Sequence, residues 1–443
     1  MLPSRVVAVQ GTAQLTSALA AMRAVDRSQP SAAIKNHLVV HDLSAPRNQA
    51  EDFANCLREL SKQATSWASI RYVTPTDLHR LDEAFISGGW AVASRSLREL
   101  LNIDACSQLL LGQNLLFINK LLQQSYPLAK TACYGDGIGL NFTCDYYDPR
   151  RELRGLRAFE RWLRMKFKAI RGELVSQSRN RPHLRANAVE FHSYYLLLAN
   201  GFDQHLSHFE QLEAADFRDL FAIFSESLPH YSKATCDQLD SALDAADQVV
   251  VLLTSNFSET KRMTLAGELE CCVEQARRQC HSANALLIIK PHPRDSQAKI
   301  AAIENAAKEH FRHVIALSDA WTFFIPFESI FARFIASNPR ISAMTSVVCS
   351  SSVCVSLELL YGKKCELGFG RDNITKHFAV AWQELRQRHE ADLHRLLARI
   401  RLATVHELAA VATAVDFNTL HGRTSPVKCS YPTPRRNQPD LRD

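Results

Sequence analysis

The residues best suited to chemistry stand in one six-residue run, Lys290-Pro291-His292-Pro293-Arg294-Asp295, directly after a fully apolar stretch, residues 285–289. An apolar segment that short, cut off by proline, reads as a buried parallel strand rather than a helix. Neither proline can donate to a strand ladder, and each biases the residue before it away from helix. His292 is thereby held in an extended turn at the carboxyl end of a strand, the edge where open α/β sheets bind ligands. Two cations and an imidazole at that edge suit a phosphate better than a neutral ligand. An ordinary strand-ending turn with surface charges would carry the same letters.

Four further signals fall at strand ends or turns. Gly11-Thr12-Ala13-Gln14-Leu15 follows the first apolar run and can form a tight turn into a helix, aiming backbone N–H groups at a ligand. Tyr134-Gly135-Asp136-Gly137 presents a carboxylate free of neighbouring bulk. Asp136 could act as a general base for a hydroxyl that reaches it, or bond its own backbone as turn aspartates do. Ser350-Ser351-Ser352 runs into a helical pattern, so hydroxyls and helix N–H groups together make an anion site, or a serine simply caps the helix. Glu328, two residues after Pro326, could accept bonds from a sugar hydroxyl, or sit in the first turn of an ordinary helix.

The elements that must position these residues are legible as alternating apolar runs and helical patterns. Residues 6–10, 37–41, 70–73, 107–111 and 131–134 read as strands, with a helix through 115–123. Residues 188–200 read as helix or strand returning to the core, and 203–228 as a polar helical stretch. A boundary is expected around 229–241. The alternation then resumes, with strands at 248–254, 285–289, 314–317 and 347–352, a long helix over 259–280 and another over 353–360. Alternation at this spacing implies parallel sheets. A chain of 443 residues is long for a single core, so two domains follow. The expected fold class is α/β, with two Rossmann-like domains facing a cleft. The expected limits are 1–235 for the first domain, with a basic helical insertion at 150–185, and 236–421 for the second. The Pro-, Arg- and Ser-rich tail 422–443 reads as disordered.

Composition narrows the class. Nearly half of the residues are apolar and 22% are charged, as in a water-soluble globular chain, and no stretch approaches the roughly twenty apolar residues of a membrane span. Twelve cysteines without C-x-x-C spacing or a secretory signal point to reduced thiols, and Cys271-Cys272 to packing. His205 and His208, three apart, have no partner at zinc-ligand spacing, so no metal site is expected. The net charge of +6 is local: residues 150–185 hold twelve Arg/Lys against three Glu. There Leu156, Phe159, Leu163, Phe167, Ile170 and Leu174 form one apolar helical face opposite the cations. With Trp162 beside them, they suit an anionic membrane surface or a polyanionic acceptor, and equally a lid helix with a solvated face. No nucleic-acid-binding module is recognisable.

The order of the motifs resembles the bacterial sialyltransferases and polysialyltransferases of GT-B type, which carry an acidic motif ending in glycine, an HP motif and a serine pair. Gln14-Leu15 directly after the first strand also looks like their opening, and the resemblance spans roughly residues 5–365. Those families often show two acids before the glycine. Here Gly135 takes the first place and Asp136 the second, and the serine pair can be read as 350–351 or 351–352. The resemblance implies Asp136 as the base that deprotonates the acceptor hydroxyl. It implies His292 as the group that bonds the departing phosphate of a CMP-sugar, with Ser350, Ser351 and Ser352 on the same phosphate and Glu328 on the nucleoside. Lys290, Pro293, Gly11 and Gln14 complete the expected donor side. The implied activity is inverting, metal-independent transfer of sialic acid or a related nonulosonic acid to a glycan, with no cofactor beyond the CMP-sugar itself. The setting is capsule or surface-polysaccharide synthesis in the cytoplasm, with peripheral contact to the inner face of the membrane through 150–185. The acceptor would be lipid-linked or polyanionic. The alternatives are a GT-B enzyme using a UDP-sugar or CMP-Kdo, and an inactive nucleotide-binding scaffold.

Overall fold

The first run of apolar residues, Ser4–Val9 (β1), is buried from Arg5 onward and pairs in parallel with Lys35–Val40 (β2) on one side and Gln108–Leu111 (β4) on the other. Ser69–Tyr72 (β3) extends one edge; Lys130–Cys133 (β5), Ser193–Leu196 (β6) and Phe209–Gln211 (β7) extend the other. The result is a seven-stranded sheet in the order β3-β2-β1-β4-β5-β6-β7. The order reverses between β1 and β4. A second sheet, all parallel, has the order β10-β9-β8-β11-β12. Its strands are Gln248–Leu253 (β8), Ala285–Lys290 (β9), His313–Ala316 (β10), Thr345–Cys349 (β11) and Cys365–Leu367 (β12). Here the reversal lies between β8 and β11. The computed structural model describes residues 3–28, 33–43, 45, 47–112, 116–135, 191–198 and 208–421. The α/β class and the two parallel sheets agree with the GT-B expectation.

Both sheets are buried on two faces, which is why their central strands are continuous apolar runs rather than alternating ones. Helix Ala214–Tyr231 ties the sheets together. It packs on helices Thr12–Ser28 and Ala50–Ala64 of the first and on Phe327–Ser337 and Val353–Tyr361 of the second. Arg27 clasps the Asp216 carboxylate with two bonds of 3.1 and 2.8 Å. A second seam runs through Phe324, whose ring stacks on Phe53 at 4.4 Å and whose carbonyl accepts the Thr12 hydroxyl at 2.8 Å.

Two expectations change. The helical pattern over 259–280 holds a turn first, and helix begins only at Leu265–Arg278, because Lys261 takes a left-handed φ of 57° and the Thr264 hydroxyl caps the new helix by accepting Gly267 N–H. The polar stretch over 203–228 contains β7 before helix Ala214–Tyr231 starts. The region 229–241, expected as a boundary, lies between the last strand of the first sheet and the first of the second and is helical on both sides of Ser232, with Pro229 in the last turn of one helix and Lys233–Ala245 as the next. The basic segment 150–185 and the tail 422–443 lie outside the described residues. Among the described residues, no helix is long and apolar enough to cross a membrane. Met1–Leu397 forms one unit; the second, Ala398–Asp443, is described as helix to His421.

Phe324 is 1% exposed. Phe324→Ala should therefore cost about 3–5 kcal/mol in urea denaturation, and Phe324→Leu clearly less, since it leaves a smaller cavity.

Candidate active site

Chain reversal in a doubly wound sheet opens a crevice at the carboxyl ends of the two strands that part. In the second sheet those ends are Leu253 of β8 and Cys349 of β11, which are register partners. The residues just beyond them meet across the crevice: Ser255 and Ser350 share a hydroxyl–hydroxyl bond of 2.8 Å. His292 enters from the neighbouring β9. Together with Asn256, Phe257, Arg262 and Ser351 they line a pocket of about 620 Å³ including its open mouth. Its remaining wall is one face of the last helix, with Trp382, Leu385, Arg386 and His389 spaced three and four apart.

The turns that carry these side chains are fixed from below. The Asp295 carboxylate accepts the backbone N–H of His292 at 2.9 Å and the Thr254 hydroxyl, joining the ends of β9 and β8. Its other oxygen takes the ammonium of Lys299 at 2.9 Å. Lys299 is fully buried and also reaches Glu268 at 2.7 Å, Glu259 at 3.2 Å and the Ser255 carbonyl. Glu268 in turn accepts the N–H groups of Phe257 and Ser258. Burial raises Asp295 to about 6, against the pull of Lys299.

The electrostatics of the pocket favour neutral donors over bare cations. Burial, with the charges of Arg294, Lys299, Lys290 and Arg262, lowers His292 to about 3. Its Nδ1 accepts the Arg294 backbone N–H at 3.1 Å, so the neutral ring carries its proton on Nε2. Burial beside Arg386 and Arg262 likewise lowers His389 to about 3. Arg386 is already matched: Glu390 takes its Nε and Nη2 at 3.0 and 2.8 Å, and the Ser350 carbonyl takes Nη1 at 2.9 Å. Its guanidinium lies 5.1 Å from the Phe257 ring centre, and that of Arg262 lies 4.5 Å from the Trp382 ring centre.

A family model described as alpha-2,8-polysialyltransferase (POLYST) matches residues 38–364, well over half of the chain. The chain belongs to the alpha-2,8-polysialyltransferase family. Its members are glycosyltransferases, and so is this one. Among solved structures it is similar to a 2,6-sialyltransferase from Photobacterium sp. JT-ISH-224, in a ternary complex with CMP and lactose. That match has 12% identity, covers 82% of this chain and 71% of that one, and has a TM-score of 0.42. A sialyltransferase from Photobacterium damselae matches at 11% identity over 87% and 96% of the two chains, TM-score 0.36. The S. aureus MnaA–UDP structure matches at 10% over 89% and 91%, TM-score 0.45. No curated protein matches.

Of the residues singled out in sequence, this polysialyltransferase-family chain brings His292, Ser350 and Ser351 into one pocket. Pro293 is half-buried in the same turn, and Ser352 precedes helix Val353–Tyr361 without capping it through its side chain. Lys290 is buried under the turn, donating to the carbonyls of Phe323 at 2.7 Å and Pro291 at 3.3 Å; burial lowers it to about 8. Glu328 lies in the first turn of helix Phe327–Ser337, 8% exposed, where burial raises its pKa and Ser356 donates to it. Gly11 and Gln14 belong to the first sheet, where Gln14 accepts the Gln10 N–H at 2.8 Å. Asp136 lies outside the described residues, one beyond Gly135, whose φ of 84° suits glycine. Sequence reasoning missed Arg262, Trp382, Arg386 and His389. The 382/385/386/389 spacing was the one available signal.

Replacing Lys299 by Met would leave three carboxylates facing one another without their cation. We expect a loss of about 3–5 kcal/mol in chemical denaturation, partly recovered as pH falls and the carboxylates take up protons. The histidines set a second pH dependence. Held near 3 against the ordinary 6.5, they cannot take protons that the unfolded chain binds, so stability should fall as pH drops below 6.5. Asp295, raised to about 6 from 3.8, opposes this with one group against two. A His292→Gln/His389→Gln double variant should therefore show a flatter melting temperature between pH 4.5 and 7.

Proposed function

We propose that this enzyme transfers sialic acid or a related nonulosonic acid from a CMP-sugar to a glycan acceptor, with inversion and without a metal. The supporting observation is the pocket at the reversal of the second sheet, where a neutral imidazole with its proton on Nε2 stands with serine hydroxyls. A nucleoside monophosphate leaving group needs donors aimed at the oxygen on which charge grows, and such donors act most strongly when fixed beforehand in a site of low dielectric. In this reading the acceptor hydroxyl attacks the anomeric carbon while the bond from that carbon to the phosphate oxygen breaks. CMP leaves with the electron pair, and His292 Nε2–H and the Ser350 and Ser351 hydroxyls bond its phosphate. Asp136, following β5 of the first sheet, takes the acceptor's proton.

The aromatic side of the pocket suits the nucleoside. Trp382 under Arg262 and the rings of Phe257 and Phe378 offer flat apolar surface beside polar groups, as ligand pockets commonly do. The first sheet is then the acceptor side and the second the donor side. The basic segment 150–185 would draw an acidic glycan or hold the enzyme at the inner face of the membrane, in keeping with capsule or surface-polysaccharide synthesis.

The reading is tested by turnover of CMP-sialic acid in EDTA with an oligosaccharide acceptor, and by thermal shift with CMP and UDP. CMP should stabilise the wild type and UDP should not. His292→Ala should lower kcat by about a hundredfold or more, the usual cost of removing one donor from a developing anion. Stabilisation by UDP in place of CMP would overturn the donor assignment.

A further inference from the structure

The last helix supplies the pocket with a second imidazole that none of the sequence motifs contains. Nη1 of Arg386 lies 3.2 Å from Nδ1 of His389 and also donates to the Ser350 carbonyl at 2.9 Å. A guanidinium can only donate, so Nδ1 of His389 accepts and its proton sits on Nε2. The same logic fixed His292 through the Arg294 N–H. Two histidines from separate elements thus line one pocket in the same tautomer, each pinned at Nδ1 by a donor.

The role of Arg386 follows from its partners. Its charge is met by Glu390, which also accepts the backbone N–H groups of Phe369 at 2.8 Å and Gly370 at 3.2 Å. At 4% side-chain exposure, Arg386 is committed to the protein and joins the serine turn to His389. It is a positioning residue, and the donor it orients is the imidazole.

We propose that His389 is a second hydrogen-bond donor to the phosphate of the bound nucleotide, lining the same pocket as His292 and the serine turn and locked in its donor tautomer by Arg386. This rests on the reading of the pocket as a CMP-sugar site. Neutral donors from two elements would then grip the phosphate beside the guanidinium of Arg262, which lines the same pocket.

The test compares CMP with cytidine, which lacks only the phosphate, by calorimetric titration of wild type, His292→Ala, His389→Leu and His389→Gln. Leu and Gln are close in size, but only Gln places an N–H where His389 Nε2 stands, so a packing role predicts equal behaviour. The expected result is that His389→Leu loses about ten- to hundredfold in affinity for CMP, the range for a bond to a charged group, while cytidine binding is unchanged and Gln restores most of the loss. Melting of the unliganded variants confirms that they are folded. Equal losses for CMP and cytidine would overturn the assignment in favour of a nucleoside contact. Unchanged CMP affinity in His389→Leu, with His292→Ala impaired, would overturn it and leave the donor-site reading intact. Failure of the wild type to bind CMP would bring down both.

Discussion

One buried ammonium holds the ends of β8 and β9 together. Lys299 lies beneath two sheet ends and satisfies three carboxylates that come from separate stretches of chain: the turn after β8, the helix that follows it, and the turn after β9. Each carboxylate passes the constraint upward. Glu268 fixes the backbone at Phe257 and Ser258, and Asp295 fixes that at His292. The desolvation of so many charges is costly, and such a cluster is weak evidence for stability in itself. What it secures is placement: two loops that would otherwise be independent are tied to one point.

Above that point stand Arg386 and the two imidazoles of the pocket. The arginine nearest the serine turn is matched by its own glutamate, and the imidazoles around it are kept neutral by burial and by the very cations they adjoin. Catalysis by donors already oriented needs no reorganisation when charge appears. The aromatic rings beneath Arg386 and beside Arg262 belong to a small satellite core of Phe257, Met263, Cys271, Phe369, Ile374 and Phe378, with Trp382 packed against it. The floor of the pocket is therefore built of packed apolar side chains.

How much of this could be read in sequence depends on where each residue stands. His292 and the serines were legible because they follow apolar strands, and a strand end is a predictable place. The strands themselves announced their class through unbroken apolar runs. The turn over Phe257–Arg262 was hidden because its residues continue into a real helix with no proline or glycine to mark the break; only the cap at Thr264 separates them. Glu268 and Lys299 look like surface charges until the fold buries them, since pairing across 31 positions leaves no local trace, and Asp295, four residues before Lys299, reads as one more surface charge of the turn. Arg386 and His389 belong to a long helix whose face is shared by polar and apolar residues, so its pattern reads as ordinary amphipathicity. Asp136 and the basic segment were singled out by composition and motif order, and lie outside the described residues.

The seam at Phe324 has a mechanical consequence. The carbonyls of Phe323 and Phe324 are consecutive, and they are gripped from opposite sides: one by Lys290, which opens the turn bearing His292, the other by Thr12, beside the first glycine turn of the other sheet. Two consecutive peptide units thus link the turn after β9 to the turn after β1. A displacement of the histidine turn that left the glycine turn unaffected would have to strain or break these bonds. Any energetic coupling carried by this link would be reciprocal by thermodynamic necessity, each turn biasing the other by the same amount.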